Sequence, residues 1–319
     1  MAISAEQHRL LYRIAQAYYV DGLTQQEIAK RFGLSRPKVS RLLQKAREEK
    51  IIITTFVPPP SSMADLEREL ERKYGLKEMV IVPVSNPKNL TAVARELGPS
   101  AAECLVRCIT GRETVGIAWG TTILAMVDAL PFKSWPNVTI VQIMGGLGPV
   151  DDLEHSAELA RSMAQRFNAR LRLVPAPGIV STREAAHALK SDRRIAETLA
   201  LATKADIALV GLGVPLPDAI LLRDGSIITH KDLELLKEAG AVGDIALRYI
   251  DAYGRPLDLE LNERIIGLTL EQIKNIPRVI GVAGGEAKYE MIRAALRGRI
   301  LDVLVTDHAT AQTLLAEAE

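Results

Sequence analysis

The sequence predicts an α/β protein in two parts: a small N-terminal helix-turn-helix domain and a larger three-layer α/β domain. Three observations carry this. Short apolar runs alternate with helix-length amphipathic runs from Met79 onward, the pattern of parallel strands with both faces covered. A capping box followed by a glycine and a second cap lies between Thr24 and Ser35. Between these regions, Val57-Pro58-Pro59-Pro60-Ser61-Ser62 reads as a stiff extended linker. The expected boundaries are therefore 1–57 for the helix-turn-helix domain, 58–63 for the linker and 64–319 for the larger α/β domain.

Charge follows the same division. The 319-residue chain carries a formal net charge of +1, which excludes a uniformly basic nucleic-acid coat. From Met1 to Phe56, however, ten Lys or Arg face five Asp or Glu, a net of +5, against −4 for the remainder. Eight of the ten basic residues fall between Lys30 and Lys50.

Within the basic segment, Thr24 caps a helix and Glu27 reaches back to its N–H. Gly33 supplies a left-handed turn residue, and Ser35 caps a second helix that tolerates Pro37 in its first turn. Ile28, Ala29 and Phe32 face Val39 and Leu42, with Leu34 in the turn. This is the helix-turn-helix arrangement, whose second helix enters the major groove of double-stranded DNA. Thr24, Gln25, Ser35, Arg36, Lys38, Ser40, Arg41 and Lys45 are the candidate DNA contacts, arginine suiting guanine and lysine or serine the phosphates. Tyr12, Tyr18 and Tyr19 are expected to pack the preceding helix against this unit. Ile51–Val57 has the β-branched content of a strand, a wing or a lead into the linker.

After the linker, Ala64 to Tyr74 is helical, with Leu66 and Leu70 a candidate interface between copies. The strands expected next are Met79–Val84, Thr114–Ala118, Val138–Met144, Arg170–Val174, Ile207–Gly211, Val279–Ala283 and Val303–Thr306. Helical stretches such as Leu90–Ile109 and Glu286–Leu296 separate most of them. Glycine-rich turns follow several strands: Gly116–Thr122, Met144–Gly148, Gly211–Gly213, Ala241–Asp244 and Gly281–Lys288. In a parallel sheet such turns converge at the carboxyl ends of the strands, where ligands bind. Thr121 and Thr122 beside free helix N–H groups, with a lysine at another helix start, favour a small anion. Gly281–Lys288 lacks the ending of a P-loop and Gly211–Leu216 lacks the third glycine of a dinucleotide loop, so neither ATP nor NAD is expected as cofactor.

Other constellations point to little chemistry. Cys104 and Cys108 share an apolar helix face and read as buried structural thiols. The five histidines show no metal-ligand spacing. Asp151, Asp152 and Glu154 precede a helix whose dipole accounts for them. No nucleophile elbow is present, and Asp244 and Asp307 are the nominal candidates for a catalytic base. Met1 to Arg13 lacks the pattern of a signal peptide. The longest apolar stretch, near Ile207–Pro217, is too short for a bilayer, and two cysteines build no disulfide framework. A cytoplasmic protein is expected.

Over essentially its full length the chain resembles the SorC/DeoR-type sugar-binding bacterial transcriptional regulators. The resemblance lies in Tyr18–Ala29 and Leu34–Leu43, then in Gly116–Thr122, Gly145-Gly146, Gly243-Asp244, Gly281–Lys288 and Val305-Thr306-Asp307. It implies a sensor domain similar to sugar-phosphate isomerases and deaminases, an effector that is a phosphorylated sugar, and a homodimer or homotetramer controlling a carbohydrate operon. Carried over, it assigns the phosphate to Gly120, Thr121 and Thr122, with Lys288 complementing its charge and Asp244 accepting from sugar hydroxyls. Gly145, Gly146, Gly211 and Gly213 would form the pocket floor, and Trp119 and Met144 would line the pocket or simply pack. The thioether of Met144 leaves a non-phosphorylated sugar or polyol open. A sugar-phosphate isomerase or deaminase with a DNA-binding attachment is the competing reading.

Overall fold

The computed structural model describes residues 4–54, 63–146, 153–215 and 228–317. The chain forms two compact units, Met1–Ser62 and Met63–Glu319. The proline-rich stretch lies outside the described residues.

The first unit holds three helices, α1 (Ala5–Tyr19), α2 (Gln25–Phe32) and α3 (Arg36–Glu48). The Thr24–Glu27 capping box forms in full, and Gly33 ends α2 with φ +66°. Ser35 departs from expectation, because its hydroxyl makes no cap bond. A cap bonds the second or third N–H of its helix. Pro37 has none, and that of Lys38 goes to the Ser35 carbonyl. Ile14, Ala17, Ile28, Ala29, Val39 and Leu43 form the core, with Phe32, Leu34 and Leu42 partly buried against it. Ile51–Thr54 form no strand: the N–H groups of Ile51 and Ile52 both return to the Ala46 carbonyl. Any wing among 55–57 lies outside the described residues. Tyr18 packs on the core, whereas Tyr12 and Tyr19 are exposed, contrary to expectation. Tyr19 instead receives a hydrogen bond from Arg47.

In the second unit, α4 (Ala64–Tyr74) precedes β1 (Glu78–Val82), α5 (Leu90–Cys108), β2 (Thr114–Ile117), α6 (Thr121–Asp128) and β3 (Thr139–Gln142). There follow α7 (Leu153–Arg166), β4 (Arg170–Arg172), α8 (Arg183–Ser191), α9 (Arg193–Ala202), β5 (Ile207–Gly211) and α10 (His230–Glu238). A hairpin of β6 (Gly243–Ile245) and β7 (Arg248–Ile250) comes next, then α11 (Glu260–Glu263) and α12 (Leu270–Lys274). The unit closes with β8 (Val279–Val282), a 3₁₀ turn at Glu286–Lys288, α13 (Tyr289–Arg297), β9 (Val303–Asp307) and α14 (His308–Ala316).

Each of the seven expected strands enters one parallel sheet, ordered β1-β9-β8-β5-β2-β3-β4. Alternation along a strand assigns the two faces. Ile207 and Leu209 join α5, α6 and α7, while Ala208 and Val210 join α9, α10, α12, α13 and the hairpin. The edge strand β1 is closed by α4, whose Glu71 and Glu67 carboxylates accept the N–H groups of Met79 and Ile81, each at 2.9 Å. This removes an open sheet edge. Within α4, Leu70 is fully buried and Leu66 partly so, both against the core of their own unit.

Two further points position the site. Strand β2 lies between β3 and β5, so the chain leaves it in one direction and returns on its other side. The crevice outside the carboxyl ends of β2 and β5 is therefore the topological switch point. The Ala241–Asp244 segment does not open a helix as expected. It enters a hairpin whose turn residues Ala246 and Leu247 have φ of 51° and 66°. Asn-Gly would have signalled such a turn; Ala-Leu conceals it. Among the described residues no helix is long and apolar enough to cross a membrane.

Candidate functional site

On the first unit, α3 exposes Arg36, Lys38, Ser40 and Arg41 and half-buries Lys45. None of these four cations has an ion pair or side-chain hydrogen bond among the described residues, so the face carries uncompensated positive charge. The free Ser35 hydroxyl sits at its leading end, beside a groove lined by Tyr18, Leu23, Thr24, Gln25, Gln26 and Arg36. Thr24 itself is occupied by Glu27, 2.7 Å from its hydroxyl. Gln44 is exposed three residues beyond Arg41; its amide, of a type that suits adenine, donates to Glu48 Oε1 at 3.2 Å. A search for charge passes over it; helical spacing from Arg41 marks it.

In the second unit, the crevice at the switch point begins with Gly120, from which α6 starts. Its first N–H groups lack helical acceptors, and Thr121 is exposed among them. Gly211 adjoins it, since a Cβ on Gly120 would stand 3.8 Å from the Gly211 Cα. Thr122 has another duty: its buried hydroxyl donates to the Val282 carbonyl at 2.9 Å and ties α6 to β8. That proton is not available to a phosphate.

Gly145 and Gly146 differ in kind from Gly120. Their N–H groups donate to the Ile266 and Ala176 carbonyls, both at 2.9 Å, and stitch three loops together. Met144, 3% exposed, is part of the apolar core, and Trp119 packs half-buried against it. Gly213 exchanges backbone hydrogen bonds with Asp244, and a Cβ there would fall 2.1 Å from the Asp244 Oδ1.

Asp244 and Lys288 are two of the buried charged residues of this region. Asp244 Oδ2 accepts the Leu247 N–H at 2.9 Å. Burial pushes its carboxyl up to about 6, with Lys288 acting in opposition. Lys288 is 9% exposed, and burial pulls its ammonium down to about 8, with Asp244 in opposition. No ion pair joins the two, and the Lys288 ammonium has no hydrogen-bond partner among the described residues. Burial thus brings the two groups towards each other, the carboxyl from below and the ammonium from above, with the charged forms of both favoured in the interval between.

The remaining candidates are structural. Asp307 accepts from the N–H groups of Gly285 and Thr310 and from the Thr310 hydroxyl. It thereby caps α14 and fixes the Gly284-Gly285 turn. Cys104 is buried, its thiol pushed up to about 12 by burial, and the Cys108 thiol donates to the Cys104 carbonyl. Among the described residues no His, Cys, Asp and Glu cluster could hold a metal ion. Asp151, Asp152 and the Glu154 side chain lie outside the description. Sequence reasoning missed Arg248, whose guanidinium binds the Leu268, Asn262 and Gly267 carbonyls, and its neighbour Tyr249. Both belong to the unforeseen hairpin.

The glycines supply a test. In Gly145→Ala the added Cβ meets the Ala176 and Pro177 carbonyl oxygens at 2.5 Å, and expression as folded protein is expected to fall sharply. In Gly120→Ala the nearest atoms are at 3.8 Å and φ is extended at 162°, so the melting temperature is expected to stay within about 2 °C of the parent, a change below ~1 kcal/mol for a unit this size. Equal loss in both variants would place Gly120 in the packing rather than at a ligand.

Comparison with known proteins agrees with this division. The family model described as "Putative sugar-binding domain" matches residues 59–316, and that of sigma-70 region 4 matches residues 13–49. The transcriptional regulator LsrR of Enterobacter sp. strain 638 is 35% identical, covering 99% of this chain and 95% of its own. The deoxyribonucleoside regulator of Bacillus subtilis is 32% identical, covering 97% and 98%. Among solved structures, the full-length sorbitol operon regulator SorC of Klebsiella pneumoniae superposes with a TM-score of 0.72 at 28% identity, covering 98% and 100%. A DeoR family regulator from Listeria monocytogenes gives 0.73 at 32% identity, covering 79% and 99%.

Proposed function

The chain belongs to the SorC/DeoR-type family of sugar-binding transcriptional regulators, and we propose that its effector is a phosphorylated sugar bound without turnover at the switch-point crevice. It is a DNA-binding regulator controlled through its larger unit. The observation that carries the effector reading is Lys288, a buried ammonium with no hydrogen bond or ion pair among the described residues, offset only at a distance by Asp244. A buried charge without a hydrogen-bonded counter-ion is costly, and an incoming anion relieves that cost. The α6 N-terminus, with Gly120 and Thr121, offers the remaining donors, and Asp244 faces the sugar hydroxyls. Engagement of Asp307 in capping supports binding rather than catalysis. The unpaired cations of α3 suit operator DNA, whose symmetry favours a homodimer or homotetramer, in the cytoplasm.

Thermal melting in the presence of pentose and hexose monophosphates tests this. A ligand at 100 times its Kd stabilises by about 2.7 kcal/mol, a rise of roughly 5–10 °C for a unit of this size. The stabilising sugar phosphate should be recovered unconverted, and should change operator affinity by the same factor as operator changes its own. Affinity should be greatest between pH 6 and 8, falling above as Lys288 loses its proton and below as Asp244 gains one. Turnover of the sugar phosphate, or response only to neutral polyols, would overturn the reading.

A further inference from the structure

The hairpin sets a second polar side chain beside Asp244. Asp244 and Tyr249 are directly opposed partners across β6 and β7, one pair beyond Ile245–Arg248. Side chains of such a pair project from one face of the ribbon, about 4.5–5.5 Å apart at Cβ. Tyr249 is 3% exposed, and its hydroxyl has no hydrogen-bond partner among the described residues. Buried tyrosine hydroxyls ordinarily find one. This hydroxyl is not sealed away either. The sealed, unpartnered side-chain atoms among the described residues are those of Tyr289, Arg293 and Thr306, so the Tyr249 oxygen keeps some access to solvent.

The backbone around it is fixed. The Tyr249 carbonyl accepts the Leu257 N–H at 3.0 Å, and its own N–H points to Asn262 Oδ1 at 3.4 Å. The turn that sets the pairing is strained. Ala246 and Leu247 both adopt left-handed φ, which costs residues with side chains about 1–2 kcal/mol each. Asp244 holds the turn through the Leu247 N–H and leaves its other oxygen, Oδ1, without a hydrogen-bond donor. A strained turn therefore keeps an acceptor, Asp244 Oδ1, and the Tyr249 phenol side by side, neither with a hydrogen-bond partner among the described residues.

Building on the effector reading above, we propose that Tyr249 is a specificity-determining residue whose hydroxyl donates to a sugar oxygen adjacent to the hydroxyl received by Asp244. Lys288 takes the phosphate in this arrangement, and the hairpin reads two neighbouring oxygens of the sugar, one as acceptor and one as donor. Burial and the nearby Asp244 and Asp232 carboxylates raise the phenol well above its ordinary range, so it remains a donor throughout neutral pH.

The test compares full-length Tyr249→Phe with the parent by calorimetric titration, using inorganic phosphate and the same pentose and hexose monophosphates. The apo melting temperature should be unchanged or higher, since no hydrogen bond is lost. Affinity for inorganic phosphate should stay within about twofold. Affinity for the preferred sugar phosphate should fall about 3- to 10-fold, the value of one neutral hydrogen bond. On the parent, monodeoxy sugar phosphates should show a matching loss at one position, and that loss should disappear in the variant. Equal effects on phosphate and sugar phosphate, or no effect on either, would overturn the role of Tyr249. Lys288→Met run in parallel separates the two readings: retention of both ligands there would defeat the phosphate site itself.

Discussion

Replacing Lys288 with methionine is expected to stabilise the protein by about 1–3 kcal/mol at pH 7 while weakening sugar-phosphate binding more than 100-fold. The first effect follows from burial. The ammonium titrates near 8 in the folded protein instead of 10.5, so its charge is harder to hold folded than unfolded. A depressed folded pKa gives a cost absent above 10.5, growing as pH falls and complete below 8, at roughly 1.4 kcal/mol per unit. Loss of Lys288 support for the Asp244 carboxylate offsets part of the gain. The second effect follows from leaving a ligand phosphate without its buried counter-charge, worth about 2–5 kcal/mol. Calorimetric melting of parent and variant from pH 6 to 10.5 should show curves that converge toward the alkaline end, and titration should show the lost affinity. A variant less stable at pH 7 with its effector response intact would make Lys288 a structural cation. The expected trade of stability for binding is what a site carrying an incompletely compensated charge implies.

The parts of this fold legible in the sequence are those determined by near neighbours. The inner strands of the sheet read as apolar runs because a parallel strand covered on both faces has no polar side to interrupt it, whereas the edge strand β4, Arg170-Leu171-Arg172, exposes both arginines. Thr24, Glu27 and Gly33 act within one turn of helix, and their roles follow from spacing. The parts that escaped depend on distant partners. Nothing near Thr122 reveals that its hydroxyl is taken by Val282. Nothing near Gly145 shows carbonyls of Ala176 and Pro177 pressing on its α-carbon, while Gly120, in an equally glycine-rich turn, has room. Ser35 looked like a cap by type, but Pro37 had removed one proton the cap would have bound. Lys288 reads in the sequence as a lysine at a helix start that favours an anion; its burial without a hydrogen bond or ion pair follows from the fold alone. Tyr249 was hidden by a turn written in alanine and leucine.

Replacing Leu43 with alanine is expected to abolish operator binding although its side chain faces away from DNA. It is 3% exposed in a core shared with Ile14, Ala17, Ile28, Ala29 and Val39. Removing three carbons from such a position costs about 2–5 kcal/mol. A unit of this size, Met1–Ser62, has about 3–5 kcal/mol to lose. Calorimetry should show its transition lost or moved far down, with the melting of Met63–Glu319 and its sugar-phosphate response intact, because that unit has a separate core. Arg41→Ala should behave in the opposite way. Its guanidinium is exposed and unpartnered, so the unit stays folded. Operator affinity should drop by about 1–3 kcal/mol, with relaxed preference at one base pair. Fluorescence anisotropy with operator and with unrelated duplexes distinguishes them: Leu43→Ala should lose both kinds of binding, Arg41→Ala chiefly the specific one. Undiminished operator preference in Arg41→Ala would remove it from base recognition. Normal operator binding in Leu43→Ala would mean that this small core has stability beyond its size, supplied by something other than the three helices alone.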